Sequence, residues 1–319
     1  MARQSCGQRP VACGCRGVGE ARDRWAAGAC VRLGPMALPQ QSISPPGSGS
    51  GLYDSAQRPP PFVEELVALL RYRDLVAQLI LRNVRARYKR SILGVAWTMV
   101  NPLLTMLVLT LVFSALFRFP SRQYALYVLS GLLAWNFFAQ TTVAAMGDLI
   151  WSGGLLGRIF LPKSAFAVSA IGTGLVNLAL ALLPYLAIAS ALGAPIRPAI
   201  VLLPLPILCL ALFALGVGLA LSTAAVYFQD VMPMYEIVLT AWMYVTPVIY
   251  PIDLVPESVQ RLLRWNPMFY LVSVFRSVLY EGQAPRPDHL AAALGISLAA
   301  LLFGWWVFTR RAREFAYHV

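Results

Sequence analysis

Uncharged apolar stretches alternate with short polar segments along most of this chain. Five stretches run for more than 20 residues without a charged side chain, at 91–117, 123–147, 164–196, 198–229 and 289–309. A sixth, 231–252, carries one charge, Glu236, near its start. Because a helix needs about 20 mostly apolar residues to cross a hydrocarbon core of ~30 Å, the pattern predicts six transmembrane helices over residues 91–309.

Continuous rather than alternating hydrophobicity favours helices over a membrane β-barrel, since a helix satisfies all of its own backbone groups in lipid. The fold class is therefore predicted to be an all-α integral membrane protein. Four prolines lie inside or near the ends of these stretches, where we expect them to kink or begin helices. They are Pro102, Pro184, Pro204 and Pro206.

Composition supports a membrane protein. Of the 319 residues, 58% are hydrophobic and 13% charged, and the mean hydropathy is +0.65, more apolar than a soluble fold of this size. The net charge of +12 would suggest nucleic acid in a soluble protein. Here the arginines lie mostly in the N-terminal region and at the edges of apolar stretches, so membrane orientation explains them better and no nucleic-acid partner is expected.

The distribution of basic residues predicts the orientation. If both termini face the cytoplasm, the inner segments hold 12 basic residues and the outer segments seven. Cytoplasmic loops carry the excess of Lys and Arg, so both termini are predicted to be cytoplasmic and the protein to lie in the cell (inner or plasma) membrane. Residues 310–319 form a cytoplasmic tail.

A basic block precedes the first span, and residues 59–90 are predicted to form an amphipathic helix region in the membrane interface. Membrane orientation alone already explains the charge. The block is interpreted as the inner anchor of the first span, attracted to anionic lipid headgroups. The predicted anchor comprises Arg73, Asp74, Arg85, Arg87, Tyr88, Lys89 and Arg90.

Residues 1–58 differ from the rest of the chain. They are rich in Gly, Pro, Ser and Arg and include Cys6, Cys13, Cys15 and Cys30. We predict a disordered leader, or one that is not translated if synthesis starts at Met36. The cysteine spacing matches no standard zinc pattern, so no metal site is predicted.

Enzymatic chemistry is poorly represented. No nucleophile and base pair stands out, and we predict no catalytic residue and no cofactor on this chain. The stretch GRIFLPKS at 157–164 superficially resembles a phosphate-binding loop, but Pro162 stands where a glycine must bring its backbone to the phosphate. The acidic residues, including Asp148, Asp230 and Glu236, lie at or near span ends, which disfavours ion-coupled transport without excluding it.

Two irregular segments remain. The inner loop 147–164 is apolar enough to form a short helix against a partner, although an ordinary interfacial loop explains it equally well. In the outer segment 253–288, LVSVFRSVLY is too short and too charged to span but suits a re-entrant or surface helix.

Several long motifs resemble the membrane subunits of type-2 ABC exporters, the permease family that moves lipid-linked polysaccharides and polyol phosphates out of bacterial cells. The resemblance covers about residues 60–315. It rests on RDLVAQLILRNVRARYKRSILGVAWTMVNPLLTMLVLTLVFS at 73–114, LYVLSGLLAWNFF at 126–138, RIFLPKSAF at 158–166, QDVMPMYEIVLTAWMYVTPVIYP at 229–251 and NPMFYLVSVFRSVLYEG at 266–282.

This resemblance implies six spans, a homodimer of permeases and two copies of a separate ATPase subunit, which binds the ATP and Mg²⁺. It implies a coupling helix seated in the ATPase, formed by Leu155, Leu156, Arg158, Ile159, Phe160, Pro162 and Lys163. It places an outer gate in 253–288, with candidates Trp265, Asn266, Pro267 and Arg276. One departure is Gln229, where the family often has a basic residue, which leaves a secondary ATPase contact near Asp230 open.

Aromatic residues suit a conduit along which sugar rings slide on flat faces, but they also collect at membrane interfaces. The channel-lining candidates are Trp97, Trp135, Phe138, Trp242 and Tyr244. Two other functions compete with the ATP-driven exporter: an ion-driven lipid or glycan flippase working without an ATPase, and a membrane-embedded glycosyltransferase or polymerase. The polymer itself is open among O-antigen, capsule, teichoic acid and cell-wall glycans.

Overall fold

The computed structural model describes residues 61–89, 96–116, 120–151, 162–193, 198–311 and 315. Throughout these ranges the regular structure is helical, without a β-strand, which confirms the all-α prediction. The α-helices are α1 (Pro61–Arg71), α2 (Arg73–Tyr88), α3 (Ala96–Leu116), α4 (Ser121–Trp151), α5 (Ser164–Ala191), α6 (Pro204–Tyr227), α7 (Val231–Val245), α8 (Glu257–Leu263), α9 (Pro267–Leu279) and α10 (Pro287–Arg311). The predicted leader, 1–58, lies outside the described residues.

Four segments are long and apolar enough to cross a membrane: Ser121–Trp151, Ser164–Ala191, Pro198–Tyr227 and Pro287–Arg311. They coincide with four of the six predicted stretches. The other two stretches contain the shorter apolar helices Val100–Leu116 and Val231–Val245. The described residues therefore form an all-helical structure with four candidate membrane spans, while the count of six spans stays a prediction.

α7 is shorter than its apolar stretch. The stretch continues to residue 252, but the helix ends at Val245 and Thr246 is extended, with φ −89° and ψ 135°. Pro247 follows directly, and a proline disfavours helical backbone at the residue before it. The 15 residues of α7 rise about 22 Å at 1.5 Å per residue, and irregular backbone follows.

The core of the molecule lies around α4. In its most apolar 18-residue window, 72% of the residues are buried, against 22% in that of α10. α4 packs against α3, α5 and α6, and α6 packs along α10. Side chains of α4 are therefore positioned to form internal sites, whereas most residues of α10 are half-buried or exposed.

Two glycines allow α6 and α10 to cross at close range. A Cβ atom at Gly216 would collide with the backbone of Ala300, and one at Gly304 would collide with the backbone of Gly216. Small residues at helix crossings let backbones approach and gain van der Waals contact in membranes. The crossing fixes α10 against the bundle.

The amphipathic region before the first span forms two helices rather than one, with a break at Tyr72. α1 packs against α10 and α5, and α2 packs along α5. Val76 and Leu79 are buried, and Ile80 lies against Gly172 of α5. Phe62, Leu66 and Leu70 remain exposed, so α1 carries the apolar surface that an interface helix needs.

Candidate functional site

The first residue of α5 is bound by a side chain from α1. Ser164 donates two hydrogen bonds to Glu65 Oε1, from its backbone N–H at 3.0 Å and from its hydroxyl at 2.9 Å. Lys163, the residue that precedes α5, makes no side-chain cap. Since a helix N-terminus favours negative charge, Glu65 caps α5 from another helix. α1 is thus tied to the chain directly after the predicted coupling segment.

Further contacts join α1, the start of α5 and the C-terminal part of the chain at this end of the bundle, the predicted cytoplasmic end. Trp305 Nε1 donates to the Phe62 carbonyl oxygen at 3.3 Å, and their rings meet edge to face at 5.9 Å. The Lys163 ammonium lies 5.3 Å from the centre of the Phe315 ring. Burial lowers the pKa of Lys163, and the nearby carboxylate of Glu65 partly offsets that effect. α1, the start of α5 and the end of α10 are therefore in mutual contact.

The predicted coupling residues fall mostly outside the described part of the chain. Pro162 is buried and Lys163 half-buried at the start of α5. The role of the segment stays a prediction. The coupling residues outside the described part of the chain are Leu155, Leu156, Arg158, Ile159 and Phe160.

The predicted anchor residues that the structure describes are exposed. Arg73 and Asp74 form an ion pair at 4.0 Å, with side chains 84% and 92% exposed. An exposed pair of this kind contributes about 0–1 kcal/mol, so it leaves both charges accessible to headgroups. Arg85, Arg87 and Lys89 are also exposed, whereas the Tyr88 side chain and Arg90 lie outside the described residues.

Three predicted channel residues pack against one another. Phe138 and Trp242 have ring centres 5.4 Å apart, and Trp135 lies 5.9 Å from Phe138 and 6.1 Å from Trp242. Trp135 and Phe138 are buried, and Trp242 is half-buried. Tyr244 is 62% exposed, and the Trp97 side chain falls outside the description. Of the described members of this set, Trp242 and Tyr244 expose side-chain surface, and their role as channel residues stays a prediction.

Asn266 joins this aromatic cluster to the predicted outer gate. Its side-chain oxygen accepts from Trp242 Nε1 at 2.8 Å and from the Met268 backbone N–H at 3.0 Å, which caps α9. Its amide donates to the Thr246 hydroxyl at 2.9 Å. Pro267 begins α9, a position where its missing N–H costs nothing. Trp265, 87% exposed, stands immediately before this junction.

Arg276 of α9 is the charged residue of the predicted gate that the structure buries. Its guanidinium donates to Tyr127 Oη at 2.9 Å and to the Pro247 and Val248 carbonyls at 3.1 and 3.2 Å. It also lies 3.7 Å from the centre of the Tyr127 ring, a cation–π distance. The carbonyls belong to the irregular chain after α7, so Arg276 holds that segment against α4 and α9.

Two tyrosines of α4 also bind the irregular chain that follows α7. Tyr124 donates to the Ile249 carbonyl at 2.9 Å and Tyr127 to the Tyr250 carbonyl at 3.0 Å. The two stand three residues apart on one face of α4. Backbone that is neither helical nor sheet needs such partners within a membrane protein, and these side chains provide them for residues 247–250.

The hydrogen bonds between Glu65 and Ser164 and between Arg276 and Tyr127 could not be predicted from the sequence. Glu65 and Ser164 are 99 residues apart, and Arg276 and Tyr127 are 149 apart. One local signal was available: Pro247 and Pro251 interrupt an apolar stretch, which marks backbone that needs side-chain partners. Tyr124, Tyr127 and Gly131 repeat at helical spacing opposite that backbone.

Comparison with known proteins identifies the family. The profile described as "ABC-2 type transporter" matches residues 74–280. The O-antigen export system permease protein RfbA of Myxococcus xanthus is 30% identical over 250 residues, which cover 78% of this chain and 96% of that protein. RfbA of Klebsiella pneumoniae is 23% identical over 66% of this chain and 81% of its own length. The polysialic acid transport protein KpsM of Escherichia coli is 22% identical over 74% and 93%. Since the profile spans α2 to α9, the chain belongs to the ABC-2 type transporter membrane family.

Proposed function

We propose that the chain is the membrane-spanning subunit of an ATP-driven exporter that moves a lipid-linked polysaccharide or polyol-phosphate polymer from the cytoplasmic side across the cell membrane. The observation that carries this proposal is the match of nearly the full length of an O-antigen export permease and of a polysialic acid transport protein. Among the substrates considered, surface polysaccharides related to O-antigen or capsule agree best with those relatives.

The proposed assembly contains two copies of this chain and two copies of a separate ABC ATPase, which binds ATP and Mg²⁺. Apolar surface supports the second copy. Leu111 of α3 and Ile237 of α7 are 71% and 72% exposed. Other large apolar side chains of both helices are also exposed. Lipid or a second protomer covers such faces in a membrane, and a conduit between two protomers requires facing helices.

The proposed coupling element is the segment from Leu155 to Lys163. The bond between Glu65 and Ser164 supports this role, because it joins α1 to the residue that follows the segment. Contacts of α1 with Trp305 extend the connection to α10. A displacement of the segment by the ATPase would therefore act on α5, α1 and α10 together. In this scheme α8 and α9 form the outer gate.

The proposed topology has six spans, with both termini and α1 on the cytoplasmic side of the inner membrane. The basic residues Arg85, Arg87 and Lys89 on α2 and just beyond it, and Arg310 and Arg311 at the end of α10, support it because inner segments carry excess positive charge.

Deletion of the gene in its source organism tests the proposed function. We expect loss of the surface polysaccharide and accumulation of the lipid-linked polymer inside the cell, with recovery when the intact chain is supplied. The matched control supplies the chain with its cognate ATPase inactivated, which we expect to fail. Normal surface polysaccharide in the deletion strain, or recovery without ATPase activity, would contradict the proposal.

A further inference from the structure

A polar cavity lies between α2, α4 and α5 at the predicted cytoplasmic end of the bundle. It has a volume of about 220 Å³, and its polar lining comes from Asn83, Arg87, Gln140, Thr141, Asp148, Thr173 and Asn177. An adjoining cleft of about 470 Å³ shares Arg87, Gln140 and Asp148 and continues to Trp151. Gln140, Thr141, Thr173 and Asn177 belong to the part of this lining that lies within predicted spans, where polar side chains are uncommon and often mark functional sites.

The cavity reaches well into the membrane-spanning part. Gln140 lies eight residues before Asp148 on α4, which places it about 12 Å deeper along the helix axis. Its side chain is exposed rather than packed, and in the described part of the chain its amide makes no side-chain hydrogen bond. A primary amide at this depth requires a polar partner, so the site is built to hold a hydrogen-bonding occupant.

The charges of the lining exclude two classes of occupant. Asp148 accepts a hydrogen bond from Asn83 Nδ2 at 3.1 Å and interacts electrostatically with Arg82 and Arg87. One carboxylate is too few for a calcium or magnesium site. One arginine, offset by that carboxylate, is too little for a phosphate, which binds through several charge-assisted donors. The remaining chemistry suits a neutral ligand.

Amide, carboxylate and hydroxyl groups together offer both donors and acceptors, as the adjacent hydroxyls of a sugar ring require. The volume falls below the ~300–1,000 Å³ of drug-sized pockets, which fits one ring rather than an oligosaccharide. Trp151, 85% exposed at the mouth of the adjoining cleft, presents a large flat amphipathic face of the kind on which a sugar ring can lie.

We propose that this cavity binds one monosaccharide unit of the exported glycan, with Gln140, Asp148 and Asn83 bonding its hydroxyls and Trp151 packing against the next unit. The inference rests on the proposed function for the identity of the polymer. It adds an intake site on the cytoplasmic side, formed within a single chain and separate from the aromatic cluster around Trp242.

Saturation-transfer NMR on the full chain with its ATPase in lipid nanodiscs tests the site. The probes are glucose, galactose, mannose, rhamnose and N-acetylglucosamine, one at a time. We expect transfer to at least one sugar, with affinity about three- to tenfold weaker in Gln140→Leu, where one hydrogen-bonding group is lost. Asp148→Asn, which preserves shape, is a second variant with the same expected direction. Ser190→Ala, exposed at the other end of α5, is the matched control.

No transfer to any of the five sugars, or equal transfer in the wild type and both cavity variants, would overturn the inference. Export of the lipid-linked polymer by the same complexes separates this result from the proposed function. If the wild type exports the polymer and both variants bind sugar as the wild type does, the intake site is refuted and the proposed function stands. A wild type that does not export the polymer contradicts the proposed function itself.

Discussion

Arg276 shows how a charged side chain is accommodated inside a membrane protein. Its guanidinium is held by neutral oxygens, two carbonyls and a tyrosine hydroxyl, and by the face of the Tyr127 ring. A fixed planar fork of donors suits several acceptors at once. A Cβ at Gly131 would lie 2.5 Å from the Arg276 Nη2 atom and 3.0 Å from the Val248 carbonyl oxygen. The pocket therefore depends on a glycine as well as on the arginine.

Replacement of Arg276 by glutamine should destabilise the protein. Hydrogen bonds to charged groups contribute about 1.5–3 kcal/mol, and the acceptors left behind add a penalty, so we expect a loss of about 2–4 kcal/mol in the free energy of unfolding. Thermal unfolding of the purified chain in detergent measures the change. Arg261→Gln, on the exposed surface of α8, is the control, and equal melting temperatures for the two variants would refute the structural role of Arg276.

At the scale of the element, the hydrophobic pattern of the sequence predicts the long helices but not the contacts between helices. Four long apolar segments were predictable because 20 apolar residues in a row have few other solutions. The early end of α7 follows from Pro247 in retrospect, yet apolar content alone extended the prediction to residue 252. The bond between Glu65 and Ser164 depends on how α1 folds back over α5, which no local periodicity encodes.

The crossing of α6 and α10 provides a matched pair of glycines. Gly304→Ala should weaken the protein, because the added Cβ meets the backbone of Gly216 and forces the helices apart. Gly295→Ala on the same helix has open space within 4 Å, and alanine favours a helix by up to about 1 kcal/mol over glycine. We expect a lower melting temperature for the first variant and an equal or higher one for the second. The reverse order would contradict the close crossing.

The attachment of α1 can be measured separately. Glu65→Ala removes the acceptor of two hydrogen bonds from Ser164, which as charge-assisted bonds contribute about 1.5–3 kcal/mol. Hydrogen exchange of residues 61–71 should then be roughly 10- to 100-fold faster, since 1.4 kcal/mol corresponds to tenfold. Glu64→Ala, one residue earlier, is the control. Unchanged exchange in Glu65→Ala would show that other contacts hold α1.

At the scale of the whole molecule, the predicted cytoplasmic and outer ends of the bundle are held together by different contacts. At one end, Glu65 of α1 bonds to the start of α5, Trp305 of α10 bonds to α1, and Phe315, beyond the end of α10, packs against Phe308. At the other, Tyr124, Tyr127 and Arg276 hold irregular backbone on α4. α4 runs between them as the most buried of the four long apolar segments. In the proposed mechanism, movement applied at the first end reaches the second through α4 and α5.

Charge placed in the proposed coupling segment should uncouple the exporter. Arg158→Asp or Phe160→Asp is expected to lower export strongly while ATP hydrolysis by the complex continues and the chain still inserts in the membrane. The measurement compares polymer export with phosphate release in the same vesicles. Ser190→Asp, on the exposed surface at the opposite end of α5, is the control. Wild-type export in both segment variants would remove the segment from the mechanism.

The central claim is that this chain transports polymer only when a separate ATPase drives it. In the most direct test, the purified chain is reconstituted in liposomes with and without its cognate ATPase, and transport of the lipid-linked polymer is followed. We predict that the chain alone neither hydrolyses ATP nor transports, even under an ion gradient, and that addition of the ATPase makes transport strictly dependent on ATP. Nucleotide hydrolysis by the chain alone, or transport driven by an ion gradient without the ATPase, would contradict the account.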